Sequence, residues 1–357
     1  MSGFVIVYLL TSPVFGVLGD RGRRPRLLAI GVGIWSLATA VAGFARSYAG
    51  LFAARAAVGV GEGAYGTIAP ALLSDSFPSR MRGRVFAVFF AAIPIGSAAG
   101  YIAGGLADQR FGWRAAFFIA GLPGVLLALL CLALDDPPRG GQDGGAPEPP
   151  ATGRSAIRAY RELLRNRVYV LTVAGYAAYT FALGALAFWM PSFLERVRGV
   201  PKASATVQFG AIVVVTGFAG TFAGGWLGDA LLKRTRQAYL WLSGASALAA
   251  APFAALAFAA PQPAVYLPAI VLAELLLFAS TGPVNSVSMN VVPPALRARA
   301  SGLLILGIHL FGDVPSPPLI GAISDRTSLQ TAFWILPGAI ALAGAIWLYA
   351  AWRESRS

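Results

Sequence analysis

The chain has 357 residues, 57% of them hydrophobic and 12% charged, with a mean hydropathy of +0.68. A soluble domain averages about 45–50% apolar and about 25% charged residues, so an ordinary water-soluble enzyme is excluded. The net charge of +13 would fit a nucleic-acid partner only if it covered one face of a soluble fold. Here the arginines lie in short clusters between apolar stretches, many of which approach the roughly 20 residues a helix needs to cross a bilayer.

In chain order the pattern predicts eleven membrane-spanning helices. Five come first, at about 3–19, 27–45, 50–74, 85–107 and 115–134, and six follow a polar connection, at about 168–194, 205–228, 238–260, 265–292, 300–324 and 331–352. Barrel strands are excluded because no alternation in ten-residue segments is present. Cys131, the single cysteine, lies in an apolar run, so no internal disulfide or thiolate metal cluster can form. No metal-ligand cluster, Walker loop or nucleotide fingerprint is present, so no metal and no cofactor are expected.

Basic residues divide the connections into two sides. Twenty, including Arg21, Arg23, Arg24, Arg26, Arg80, Arg82, Arg84, Lys233, Arg234, Arg297 and Arg299, fall on one side; seven fall on the other, and Arg55 lies inside a span. The richer side is expected to be cytoplasmic, with the C-terminus there and Met1 outside, in a multi-pass protein of a bacterial inner membrane.

The connection divides the chain into an N-terminal bundle at 1–134, a linker at 135–167 and a C-terminal bundle at 168–357. Its first half, DDPPRGGQDGGAPEPPATG, is Pro/Gly-rich and has no means of burying a core. From Arg154 on, Ile157, Tyr160 and Leu164 recur at helical spacing while Arg158, Arg161 and Arg165 occupy other faces. This reads either as an amphipathic helix on the inner membrane surface or as a solvated linker helix.

The sequence repeats itself. GVLGD at Gly16–Asp20 ends the first span before a basic turn, and GWLGD at Gly225–Asp229 does the same before Lys233 and Arg234. Arg82 precedes GLAD, ending at Asp108, as Arg297 precedes GAISD, ending at Asp325. Two parallel halves are a transporter design, with the substrate bound between them near mid-membrane. By this repeat, the helix at 168–194 lacks a counterpart before Met1, so the first helix of the N-terminal bundle is expected to be missing.

Gly16, Leu18, Asp20, Arg21 and Arg24 resemble the loop motif of the major facilitator superfamily, GxLxDRxGRK, with Arg23 and Pro25 departing from it. The stretches RAAVGVGEGAYGTIAPALLSD (Arg55 to Asp75), GALAFWMPSFL (Gly184 to Leu194) and HLFGDVPSPPLIGAISD (His309 to Asp325) resemble the spinster branch. The resemblance implies an all-α major facilitator fold of two six-helix bundles, the first with only five helices here. It also implies a non-enzymatic secondary transporter, working as a monomer by alternating access, that moves an amphipathic or lipid-like molecule with protons as partners among membrane lipids. An organic anion or drug in the same fold, or a non-transporting truncated membrane protein, are the alternatives. The fold would also place Asp20 near the start of the span beginning around Ala300, as a gate charge on a helix dipole; Asp229 would be a weaker counterpart.

Arg55 and Glu62 lie seven residues apart on roughly one helix face, where charges avoid lipid. They form either a proton-coupling pair or a static polar lock. His309 and Asp313, four residues apart, share a face beside Pro315, Pro317 and Pro318. His309 is either a pH sensor or a packed imidazole oriented by the acid. Candidate substrate contacts are Tyr176, Tyr179, Trp189, Glu274, Asn285 and Asn290. Candidate gate residues are Gly16, Asp20, Arg21, Arg24, Asp229 and Arg234. Gly96, Gly100 and Gly104, at four-residue spacing, are expected to let helices pack closely.

Overall fold

In a hydrocarbon environment every backbone N–H and C=O must find a partner within the chain, and for an apolar segment of this length the α-helix provides them all. A computed structural model describes residues 2–144, 146–151 and 155–356, apart from the side chains of residues 2, 101 and 102. Arg154, counted above with the linker helix, lies outside them. The helices are α1 (Ser2–Arg21), α2 (Arg24–Ala42), α3 (Tyr48–Ser76), α4 (Arg82–Phe111), α5 (Trp113–Cys131), α6 (Ala156–Arg165), α7 (Arg167–Arg196), α8 (Lys202–Leu231), α9 (Ala238–Ala259), α10 (Pro263–Phe278), α11 (Thr281–Asn290), α12 (Arg297–Ile308), α13 (Ser316–Arg326), α14 (Leu329–Phe333) and α15 (Ile335–Glu354).

These elements make up the eleven segments expected, with α10–α11, α12–α13 and α14–α15 each forming one broken span. Among the described residues, ten segments are long and apolar enough to cross a membrane. The other is α3, which carries Arg55, Glu62 and Asp75. Between α12 and α13 the chain widens into a π-turn at His309–Asp313, just before the prolines end regular bonding. The only β-type pairing among the described residues is an isolated bridge between Arg139 and Glu148.

The chain divides into two compact units that cut across its sequence halves. The first holds residues 1–79, 96–166 and 289–306; the second holds 80–95, 167–288 and 307–357. Each half of the sequence therefore lends a short piece, the start of α4 or the start of α12, to the other half's unit.

In the first unit α3 packs between α1 and α2. A side chain at Gly61 would strike the backbone of Gly31 and Trp35, so the α2–α3 contact needs its absence. The opposite holds on α4. Side chains added at Gly96, Gly100 or Gly104 would meet nothing within 4 Å, so the close packing expected of these glycines is not found. They line an apolar cleft of about 450 Å³ with Thr39, Arg55 and Phe117. In the second unit, Trp347 is fully buried against Gly175 and donates Nε1–H to the Thr172 carbonyl at 3.1 Å.

The Pro/Gly-rich connection is not the free linker its composition suggests. Residues 135–144 and 146–151 are held within the first unit by the charged contacts described below, and α6 belongs to the same unit. Ala159 and Leu163 are buried, whereas Ile157 and Leu164 are 73% and 58% exposed beside the exposed Arg158, Arg161 and Arg165.

Candidate functional site

The first repeated motif ends α1, and its last residue meets the beginning of α12. Asp20, 2% exposed, accepts the backbone N–H of Ala298 at 3.0 Å and of Arg299 at 3.3 Å. These are free donors at a helix N-terminus, where the dipole also favours a carboxylate. The Arg299 guanidinium stands 3.5 Å away and donates no hydrogen bond among the described residues. Gly16 permits the approach, because a side chain there would press on the Arg299 backbone at 2.8 Å.

The second motif repeats this geometry in the second unit. Asp229 accepts the backbone N–H of Arg84 at 3.2 Å, Arg84 Nε at 2.7 Å and the Tyr239 hydroxyl at 2.7 Å. Tyr239 in turn accepts the Gly83 N–H at 3.1 Å. A side chain at Gly225 would collide with the Gly83 carbonyl at 2.5 Å. Asp229 therefore holds the start of α4 as Asp20 holds the start of α12, through one backbone N–H where Asp20 accepts two. Arg21 and Arg234 are exposed beside the two motifs.

Around Asp20 lies a buried network centred on an acid, Asp75, that the sequence did not single out. Asp75, at the end of α3, pairs with Arg24 through one oxygen and with Arg297 through the other, all three side chains being 2% exposed or less. Arg297 Nε also donates to the Met289 carbonyl at 3.0 Å. Arg24 holds Asp136 through Nε at 2.7 Å and through its backbone N–H at 3.1 Å. Burial pushes the Tyr160 hydroxyl up to about 12, with Arg299 opposing and Asp20 adding to the shift, and that hydroxyl donates to the Pro13 carbonyl. The signal for Arg297 was present in the repeat, since Arg82-Gly-Arg84 and Arg297-Ala-Arg299 open α4 and α12 alike.

The candidate proton-handling residues fall into separate places. Glu62 is half-buried on α3, and Arg55 is exposed toward the cleft with its guanidinium over the Phe4 ring at 5.9 Å. No ion pair joins Arg55 and Glu62 among the described residues. His309 Nδ1 lies 2.8 and 2.9 Å from the two Asp313 oxygens, within the π-turn.

Of the candidate substrate contacts, Tyr176, Tyr179, Trp189 and Asn285 are drawn into the second unit's own packing. Tyr176 and Tyr179 are 8% and 2% exposed and meet the Trp347 ring edge-on and tilted, at centroid distances of 6.3 and 5.7 Å. The Tyr179 hydroxyl donates to the Leu277 carbonyl at 3.1 Å, and Asn285 Nδ2 donates to the Tyr176 hydroxyl at 3.1 Å. Trp189 Nε1 donates to the Pro317 carbonyl at 2.9 Å. Asn290 is exposed at the end of α11. Glu274 is 3% exposed, and one of its carboxylate oxygens has no hydrogen-bond partner among the described residues.

Comparison with known proteins gives a consistent result. The family profile of the Major Facilitator Superfamily matches residues 1–314. Protein spinster of Drosophila melanogaster is 35% identical over 333 residues, covering 90% of this chain and 54% of that protein. The chain thus spans about half the length of that relative. The probable sphingolipid transporter spinster homolog 2 of Arabidopsis thaliana is 34% identical over 363 residues, covering 97% of this chain and 73% of the plant protein. Among solved structures, the E. coli fucose:proton symporter superposes with a TM-score of 0.77 at 17% identity, covering 98% of this chain and 89% of its own. A bacterial homolog of the human lysosomal transporter spinster, inward-facing and unoccupied, gives 0.57 at 24% identity, covering 98% and 86%. At these identities the two structures share the fold.

Proposed function

Because this chain belongs to the major facilitator superfamily, in its spinster branch, we propose that it is a monomeric secondary transporter of an amphipathic, lipid-like molecule, working by alternating access and driven by protons. The observation that carries the reading is the pair of reciprocal caps, Asp20 on the start of α12 and Asp229 on the start of α4. Each cap joins one sequence half to the other through a carboxylate on free N–H groups, a contact that makes and breaks without rearranging either helix. On this reading both caps lie on the Arg-rich, cytoplasmic side, and they hold that side shut.

Arg55 and Glu62 supply the coupling. They share one helix without pairing, so Glu62 can exchange a proton while Arg55 alters its affinity as the two approach or separate. The probable sphingolipid transporter among the relatives supports a lipid-like cargo, and the basic exposed face of α6 supports contact with an anionic inner leaflet. An organic anion is the second reading, favoured by the exposed Arg55 in an otherwise apolar cleft.

The test is uptake into proteoliposomes of a radiolabelled sphingoid base, a lysophospholipid and an aliphatic carboxylate, each with and without a pH gradient. We expect gradient-driven accumulation of one of the first two, and loss of the pH response in Glu62→Gln with cargo exchange retained. Accumulation of the carboxylate alone would favour the second reading. No accumulation of any probe above protein-free vesicles would overturn transport of these classes.

A further inference from the structure

A segment rich in proline and glycine ordinarily stays solvated, because it offers no apolar period with which to offset the entropy of ordering it. Residues 135–144 and 146–151 instead form a strap across the first unit, held by polar contacts at both ends and in the middle. Toward the first sequence half, Asp136 binds Arg24 as described, and the 8%-exposed Arg139 donates from one guanidinium nitrogen to the Gly19 and Gly22 carbonyls, both at 3.1 Å. These carbonyls belong to the last turn of α1 and to the residue just past it, where acceptors lack partners within the helix. The Gly140 N–H donates to Asp75 at 2.9 Å from a left-handed backbone, φ +73°, that suits glycine. Farther along, the Ala151 N–H donates to the Asp20 carbonyl at 3.2 Å.

Toward the second sequence half, the same strap makes polar contacts through two acids. Asp143 pairs with Arg297 at 2.5 Å, and Glu148 accepts the Ala295 N–H at 3.1 Å. Ala295 and Arg297 lie just ahead of the backbone that Asp20 caps. A backbone bond from Glu148 N–H to the Arg139 carbonyl, 2.9 Å, closes the strap on itself and ties its two sets of contacts together.

We propose that this strap is a latch of the transport cycle, permanently anchored to the first half through Asp136 and Arg139 and released from the second half through Asp143 and Glu148. The inference rests on the alternating-access reading above. When the start of α12 leaves Asp20, the bonds of Asp143 and Glu148 must break with it. Those of Asp136 and Arg139 join the strap to α1 and α2 and survive. The two pairs of residues therefore have different consequences, which composition alone does not suggest.

The experiment reads conformation without cargo. In a Cys131→Ser background, spin labels at Arg26→Cys and Ser355→Cys report the separation of the two halves on the basic side by pulsed dipolar spectroscopy. The doubly neutral variant Asp143→Asn/Glu148→Gln is expected to raise the open fraction at least severalfold, and Asp143→Glu, which keeps the charge, to stay close to the parent. A distance distribution unchanged in the double variant overturns the latch, whatever the transport assay gives. A shift toward the open state with no cargo moved supports the latch and counts against the transport assignment instead. Should the double variant fail to fold, Glu148→Gln alone carries the same expectation at a smaller shift, and no shift there overturns the proposal.

Discussion

At the end of Gly16–Asp20 the carboxylate accepts two backbone N–H groups and faces a fully buried guanidinium 3.5 Å away; at the end of Gly225–Asp229 it accepts one N–H, a guanidinium Nε and a tyrosine hydroxyl, and the guanidinium is 39% exposed. The repeat has kept the helix cap and changed its surroundings. Seven residues before Arg82 stands Asp75, and seven before Arg297 stands Asn290, so the acid that bridges two arginines exists in only one half. The Asp20 junction depends on a dry ionic network, whereas the Asp229 junction can exchange its arginine's contact for water. Similar sequence motifs thus make junctions whose strength is set by what lies behind them.

The sharpest way to break the comparison is to neutralise the residue that only one junction has. Asp75→Asn leaves Arg24 and Arg297 buried with their shared acid gone, and removing one member of a buried pair typically costs about 3–5 kcal/mol. Asp136 and Asp143 remain on the outer side and place the expected loss near the lower end. Thermal unfolding in detergent should show it as a large drop in Tm, and the basic-side distances should shift toward open. An Asp75→Asn protein as stable as the parent would mean that the network is not what distinguishes the two junctions.

Asp20→Ala comes next. It removes a dipole contact worth up to about 2 kcal/mol when partly buried, and leaves Arg299 without its counter-charge. A change of about 1–2 kcal/mol shifts a two-state ratio about five- to thirtyfold, read by the same spin labels as a larger open fraction. Asp229→Ala should shift it less, by about 1 kcal/mol as for the loss of a helix N-cap, because Arg84 can hydrate. Equal shifts in the two variants would show that burial of the partner arginine does not matter.

Much of this was legible in the sequence, for identifiable reasons. The spans follow from hydropathy, because a bilayer demands unbroken apolar length, and α6 follows from the spacing of Ile157, Tyr160 and Leu164. The motif ending at Asp20 gave away its own helix cap through the repeat and the resemblance together. The strap was not legible. Asp136 meets Arg24 across 112 residues and Asp143 meets Arg297 across 154, and no local pattern encodes partners at that distance. Asp75 was hidden for a different reason: it sits in the last turn of a helix, where the dipole disfavours an acid, and only Arg24 and Arg297, brought from either side, give it a role. Tyr176 and Tyr179 show the opposite error of legibility. Polar-tipped aromatics suit a cavity by composition, but their hydroxyls are engaged within the second unit's packing.

The smallest expected effect concerns Arg84. Its side chain is 39% exposed, so its ion pair with Asp229 is screened and rivals water at little cost, about 0.2–1 kcal/mol for exposed pairs. Arg84→Ala removes that pair but leaves the backbone N–H of residue 84 and the Tyr239 hydroxyl on Asp229. If the helix cap carries the junction, Arg84→Ala should lower Tm slightly, less than Asp229→Ala does, and the difference from the parent should shrink further in high salt, where exposed charges lose their reach. If Arg84→Ala instead matches Asp229→Ala and salt does not reduce its effect, the guanidinium is the holding group. The likeness between the two junctions would then lie in sequence alone, with one closed by a helix terminus and the other by a salt bridge.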